Sequence, residues 1–290
     1  MKGLCCDQFP KAQTAIYTNT NFEGDVMQKL NGIVIGGTGL EINTFNDYQN
    51  GVIMYNTGEP IVKENTFTKC LQAVEAVSCG YALALGTGNA NFNENNFNNC
   101  IFGIYCRESQ GTPKIVLNKF NINQQYNIDD YGLEAIRVEN IMQDAFPIVK
   151  ENEINNMAIG IHLRNAIEAQ VRWNHYTTQI TNADIAVLNL PNIGVWIENC
   201  TNSSIIENTI ERLGTDVSDD AQQDLMQGIN MDISTNCVLH LNNTTNMGTD
   251  INVIANCDPA TISCNNMTSS NRGINFVAAT ITAFSWYPTD

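Results

Sequence analysis

Charge is scarce in this chain, and what there is lies mostly on one side. Only 15% of the 290 residues are charged, and 30 acidic against 14 basic side chains leave a formal charge of −16. Duplex nucleic acid demands clustered Lys and Arg to neutralise its phosphates, so this balance argues against such a partner. Lysine stops at Lys150, and every basic residue beyond it is Arg. No run of about 18 apolar residues exists, so no membrane-spanning helix is expected. The opening MKGLCCDQFPKAQ lacks an apolar stretch of about 7–15 residues and does not read as a signal peptide. The chain is therefore either cytoplasmic or directed by a segment outside it. Although Cys is plentiful, with ten residues, there is no CxxC pair and no Cys/His cluster of zinc type, so no metal site is expected. Cys5 and Cys6 are vicinal, and Cys257 and Cys264 flank DPATIS, where a local disulfide and simple buried thiols both fit.

Helical heptads are missing too, and a different period takes their place. ENNFNNCIFGIYCR (94–107) has close relatives in KENTFTKCLQAVEAV (63–77), KENEINNMAIGIHLR (150–164) and SCNNMTSSNRGINFV (263–277). An Asn followed two places later by an apolar residue stands eight positions before a Gly in the pairs Asn43/Gly51, Asn95/Gly103, Asn152/Gly160 and Asn265/Gly273. Asn65/Ala73 and Asn242/Asp250 keep the spacing with the Gly replaced. Each unit reads as three short strands: one before the Asn (PIVKEN), one after it (TFTKC), and one that starts at the Gly and alternates with period two (GIYCR). A unit of 22–34 residues cannot bury its apolar face alone, so units must stack. The expected fold is all-β, a single right-handed parallel β-helix over residues 1–290 with about ten rungs, about 45–50 Å long at roughly 4.8 Å per rung.

Ile33, Val52, Val74, Ile104, Ile136, Ile161, Val195, Ile229, Ile251 and Ile274 are expected to share one inward column of Gly strands. Asn at the bend tolerates left-handed backbone, and its amide can donate and accept along the stack. A structural ladder is expected of Asn43, Asn65, Asn95, Asn118, Asn152, Asn174, Asn208, Asn242 and Asn265. Cys70 and Cys100, each five residues after its Asn, are expected inside as small hydrophobes.

These features resemble the right-handed parallel β-helix proteins of the pectin-lyase-like superfamily. The resemblance rests on Asn-x-apolar followed by Gly-Ile/Val-x-apolar over about residues 30–277. It implies a fold rather than an activity, because such folds carry lyases, hydrolases, epimerases, adhesins and phage spikes. Enzymes of this kind usually bind a sugar chain on the outer face of the Gly strands. On that face Tyr105, Arg137, His162, Trp196 and Asn230 would stand in one outward column, with Arg107, Arg164 and Glu198 in the next. Tyr105 and Trp196 can stack on sugar rings, and Arg can hold a carboxylate. The connections Asn118–Ala135, Asn174–Gly194 and Asn208–Gly228, 17, 20 and 20 residues long, fall on the same central rungs.

A purely structural role fits that face equally, because Arg107, Glu139, Arg164 and Glu198 alternate in sign along one column. Glu139 and Glu198, two rungs apart, have about the spacing of an inverting hydrolase pair, but Arg164 between them would keep both ionised. A lyase would use an Arg base with calcium, for which Arg137 or Arg164 with Asp232 is the nearest match; no lyase or polygalacturonase signature is complete. Otherwise no cofactor is expected. SDDAQQDLMQG (218–228) reads as a short helix capped by Ser218, which accounts for Asp219 and Asp220. His175 and His240 read as structural.

The leading expectation is a secreted or cell-surface, non-catalytic β-helix protein, adhesin-like, whose partners are an anionic polysaccharide or other surface proteins. The alternatives are a lyase or hydrolase acting on an acidic glycan, and a spike that trimerises through Val34, Ile53 and Val77.

Overall fold

The computed structural model describes residues 12–19, 33–37, 42–80, 89–109, 111–122, 132–141, 145–179, 191–213, 225–258, 260–268, 270–277 and 284–285. Their regular structure is strand alone, arranged as a right-handed parallel β-helix with three parallel sheets of ten, ten and nine strands. One sheet collects the Gly strands, from Ala12–Asn19 to Arg272–Val277. A second collects the strands before each Asn, and a third the short strands after it, from Thr44–Asn46 to Asn266–Thr268. Among the described residues no helix is long and apolar enough to cross a membrane.

Register follows the sequence period. Val52, Val74, Ile104, Ile136, Ile161, Val195, Ile229, Ile251 and Ile274 are direct partners rung to rung. The first rung differs from expectation. Its Gly-sheet strand is Ala12–Asn19, with Ile16 opposite Val52 and Tyr17 opposite Ile53. Val34–Ile35 instead pairs with Ile61–Val62 in the sheet before the Asn. The trimer contact therefore dissolves, because Val34 lies on another sheet and Ile53 and Val77 are buried.

Opposite the Gly strands, Phe45, Phe67, Phe97 and Phe120 form a stack with ring centroids 4.7, 5.1 and 4.5 Å apart. The Gly column makes room for it. A Cβ on Gly103 would lie 2.4 Å from Phe120 Cε1 and 2.3 Å from the Ala135 carbonyl oxygen. Beyond Phe120 the column of the Phe stack continues as Ile154, Tyr176, Ile210 and Thr244, and in the repeat of Thr244 the small Gly-strand position is filled by the buried Asp250.

Asn43 Nδ2 donates to Asn65 Oδ1 at 3.1 Å, and the same bond repeats through Asn95, Asn118, Asn152, Asn174, Asn208 and Asn242 to Asn265 at 2.9–3.0 Å. Each interior amide also reaches a carbonyl of the preceding rung, as Asn118 Nδ2 does with Phe92 O at 2.8 Å. The left-handed residue, however, is not the Asn but its predecessor. Glu64, Glu94, Leu117, Glu151, Trp173, Glu207, Leu241 and Cys264 all have φ of 52–58°. The Asn is thereby turned inward, and the strained backbone is held by rung-to-rung bonds such as Glu94 N to Val116 O at 3.0 Å.

Cys70 and Cys100 are buried free thiols, and burial pushes Cys100 up. Cys257 and Cys264 are free and occupy different bends, so no local disulfide joins them. Cys5, Cys6, Asp219, Asp220 and Ser218 lie outside the described residues, as do most of the three long connections; the end of the expected helix, Met226–Gly228, is strand.

Candidate functional site

Alternation along the Gly strands sends Glu75, Tyr105, Arg137, His162, Trp196 and Asn230 outward in one column. Arg107, Glu139, Arg164, Glu198 and Asp232 form the next. The two columns knit into one polar cluster. Tyr105 donates its hydroxyl proton to Glu139. Arg137 donates from Nε at 3.0 Å and Nη2 at 2.7 Å to Glu139 Oε2, and from Nη1 at 3.4 Å to Glu134 Oε2. Its guanidinium also lies 5.3 Å from the Tyr105 ring centroid, a cation–π contact. Arg107 pairs with Glu75 at 3.4 Å, and Arg164 with Glu198 at 3.4 Å.

His162, expected to face solvent, is buried at 4% exposure. Its ring stacks on Trp196 with centroids 4.4 Å apart and planes 6° from parallel, and its Nδ1 lies 3.1 Å from Glu134 Oε1. Nε2 approaches Glu198 Oε2 to 3.4 Å without hydrogen-bond geometry, and Trp196 Nε1 is likewise buried with no partner among the described residues. Asn230 is also buried and belongs to a second amide chain, accepting from Asn252 at 3.1 Å, which in turn accepts from Asn275 at 2.9 Å.

Burial works to raise the Glu139 carboxyl, but hydrogen bonds from Tyr105 and Arg137 and the charges of Arg137 and Arg164 outweigh it and hold the group below its ordinary value. Burial and the Glu139 contact push Tyr105 up to about 12. Asp232 moves the other way from Glu139, raised by burial and by the negative charge of Glu198 beside it. Glu139 is therefore unsuited to donate a proton, while Asp232 is shifted in that direction. Among the described residues no three His, Cys, Asp or Glu side chains are placed to hold a metal ion. Glu75, Glu134, Glu139 and Glu198 are engaged by Arg107, Arg137, Arg164, Tyr105 and His162.

Beside this cluster lies a hollow of about 360 Å³ lined by Gln72, Glu75, Phe102, Tyr105, Glu134 and Arg137 among others. It takes in Tyr105 and Arg137 from the expected strip but not Arg107, His162, Arg164, Trp196, Glu198 or Asn230. Gln72, Phe102 and Glu134 were not expected, because they stand three residues before Glu75, Tyr105 and Arg137, where strict period-two alternation turns a side chain inward; two consecutive buried residues, as Gly103 and Ile104, shift the phase. The strands begin ahead of the Gly position, as Phe102–Arg107 and Gly132–Glu139 show. Period-two alternation carried back from Tyr105 reaches Gly103 and passes over Phe102, so the pattern alone gave no signal for them.

No family model matches the chain, and no curated protein matches it. Among solved structures it is similar to a double mutant of the periplasmic alginate epimerase AlgG, with 13% identity, a TM-score of 0.39, and coverage of 87% of this chain and 77% of that one. It is also similar to the GH136 lacto-N-biosidase from Eubacterium ramulus, with 9% identity and a TM-score of 0.35 over 95% of this chain. The chain spans 60% of the length of that lacto-N-biosidase.

Proposed function

We propose that the protein is an exported or cell-surface β-helix that binds a glycan, without turning it over, in the hollow between Gln72 and Arg137. The observation that carries this reading is the meeting of Phe102 and Tyr105 with Gln72, Glu75, Glu134 and Arg137 in one opening of about 360 Å³, within the range of small-ligand sites. Aromatic rings offer a face to the C–H side of a pyranose, while carboxylates and an amide accept and donate to its hydroxyls. The charge of the lining refines the ligand. Arg137 is already engaged by Glu139 and Glu134, and Glu75 and Glu134 leave an acidic excess. A neutral saccharide suits this lining better than an anionic one, whose carboxylates would meet two like charges.

A glycan array followed by titration tests the reading. Neutral ligands should emerge, their affinity should change little between low and high salt, and Tyr105→Ala should weaken them by tenfold or more. Enrichment of uronate-rich ligands whose binding falls steeply with salt would count against neutrality.

A hydrolytic reading has one observation in its favour. Glu198 and Asp232 are direct partners on adjacent rungs, about 4.8 Å apart by rung spacing, and Asp232 is raised. Release of reducing ends from a bound glycan, abolished by Asp232→Asn, would establish it in place of simple binding.

A further inference from the structure

The protein carries a second hollow, on a different sheet, that the Gly-strand face does not explain. It measures about 530 Å³ and lies over the outer face of the strands that follow the ladder Asn, lined by Asn98, Asn121, Asn155, Asn156, Thr177 and Leu213 among others. Asn98, Asn121, Asn155 and Thr177 are rung-to-rung partners, so they form one outward file. Among the described residues its lining holds no charged side chain, in a chain of net charge −16; at its edge Asn155 Nδ2 donates to Glu153 Oε1 and Thr177 Oγ1 to Glu211 Oε1, each at 3.4 Å, and these carboxylates disfavour an anionic ligand.

The amides are partly preorganised. Asn155 Nδ2 donates to Asn121 Oδ1 at 2.7 Å, and Asn156 is fixed by donating to Ile122 O at 3.1 Å and accepting from Gln179 N at 2.9 Å. Asn121 Nδ2 and both polar ends of Asn98 have no hydrogen-bond partner among the described residues. The exposed Leu213 and the buried Ile122 supply an apolar border.

We infer that this trough is a second binding site for an uncharged, hydroxyl-rich chain, a neutral glycan laid along the solenoid axis. Three features single out that ligand. An amide presents a donor and an acceptor side by side, matching vicinal hydroxyls. Each rung adds another amide about 4.8 Å further on, a step close to the length of one pyranose unit. The surface is the face of a sheet whose backbone bonds are already made between rungs, so a peptide strand has no edge to join. Nothing in this inference depends on the hollow between Gln72 and Arg137.

The test uses the full chain carrying Tyr105→Ala, which removes the aromatic ring from the other hollow, and a panel of unbranched neutral hexasaccharides of glucose, mannose and xylose. Calorimetric titration should show at least one hexasaccharide binding this protein. Adding Asn121→Ala or Asn155→Ala should weaken that binding at least tenfold, while Asn266→Ala, on the same sheet five rungs from Asn121, leaves it unchanged. Side-chain amide NMR signals of Asn98, Asn121 and Asn155 in the unmutated chain should shift with the same ligand, so a variant that fails to fold does not decide the outcome. Absence of binding by every hexasaccharide to the Tyr105→Ala protein, or binding indifferent to both Asn substitutions with no shift of those signals, would overturn the inference. Loss of the hollow between Gln72 and Arg137 as a site would show only in the comparison of Tyr105→Ala with the unmutated chain.

Discussion

Asn118 shows what one side chain holds together. Its Nδ2 donates to Asn152 Oδ1 and Phe92 O, and its Oδ1 accepts from both the backbone N–H and Nδ2 of Asn95, all inside the protein. Asn118→Leu keeps the volume and removes these four bonds and a fifth, from Nδ2 to Val116 O at 3.2 Å, leaving buried groups unpaired on two neighbouring rungs at about 1–3 kcal/mol each. The unfolding midpoint in urea should fall accordingly, and amide exchange should rise at Asn95, while the exposed Asn266→Leu should stay within about 0.5 kcal/mol. Asp250 is the opposite case. It is buried where other rungs place Gly or Ala, with Oδ1 accepting from Ser270 at 2.6 Å and Oδ2 without a hydrogen-bond partner among the described residues. Burial raises it from 3.8 to about 6. A folded-state value above the unfolded one means that its stability contribution is complete below about pH 4 and is lost as pH rises through 6. Asp250→Asn should therefore stabilise the protein at pH 8 by up to about 2–3 kcal/mol, and the gain should vanish at pH 4. Thermal unfolding of both proteins across that range checks the sign; an equal gain at both ends would mean that ionisation is not the cause.

At the scale of the strand, the small residue of each Gly strand sets how closely the opposite sheet can approach. Gly103→Ala would place a Cβ within 2.4 Å of Phe120 and 2.3 Å of backbone, whereas at Gly273 the nearest atom, Met267 Sδ, is 3.6 Å away. The first substitution should cost about 1–3 kcal/mol and the second little, measured by urea unfolding. The inward register was legible because the Asn-to-Gly spacing anchors it, and Ile104, Ile136 and Ile161 stand where that spacing puts them. Ile33–Ile35 misled because its apolar alternation is the same in two sheets and no Asn precedes it at the right distance. The left-handed bends were hidden for a different reason. Glu, Leu and Trp have no turn preference, so Glu94, Leu117 and Trp173 adopt φ above 50° under the pull of the stack and not by local propensity. His162 shows the limit of alternation, which gives a side chain's direction but not the Trp196 ring that packs over it. Glu134 and Phe102 escaped because they lie three residues before Arg137 and Tyr105, out of phase with the alternation.

Across the whole molecule, the solenoid turns a one-dimensional repeat into long files of chemistry, and different faces of one core have taken different characters. The Gly-strand face mixes rings with paired charges, the face after the Asn sets a file of amides beside the ion pairs Lys119–Glu153 and His175–Glu211, and the interior between them is Phe, Ile and Val. Such a body is rigid along its axis and suited to holding an extended chain, and two hollows with little positive charge to spare favour a neutral one. The most direct measurement of that account is a calorimetric titration of the best neutral array ligand into the protein and its Tyr105→Ala variant, at low and high salt, with the mixture then assayed for reducing ends. The account predicts saturable binding that is indifferent to salt, weakened at least tenfold in the variant, with the ligand recovered intact; salt-sensitive binding that ignores Tyr105→Ala, or a ligand cleaved during the titration, would contradict it.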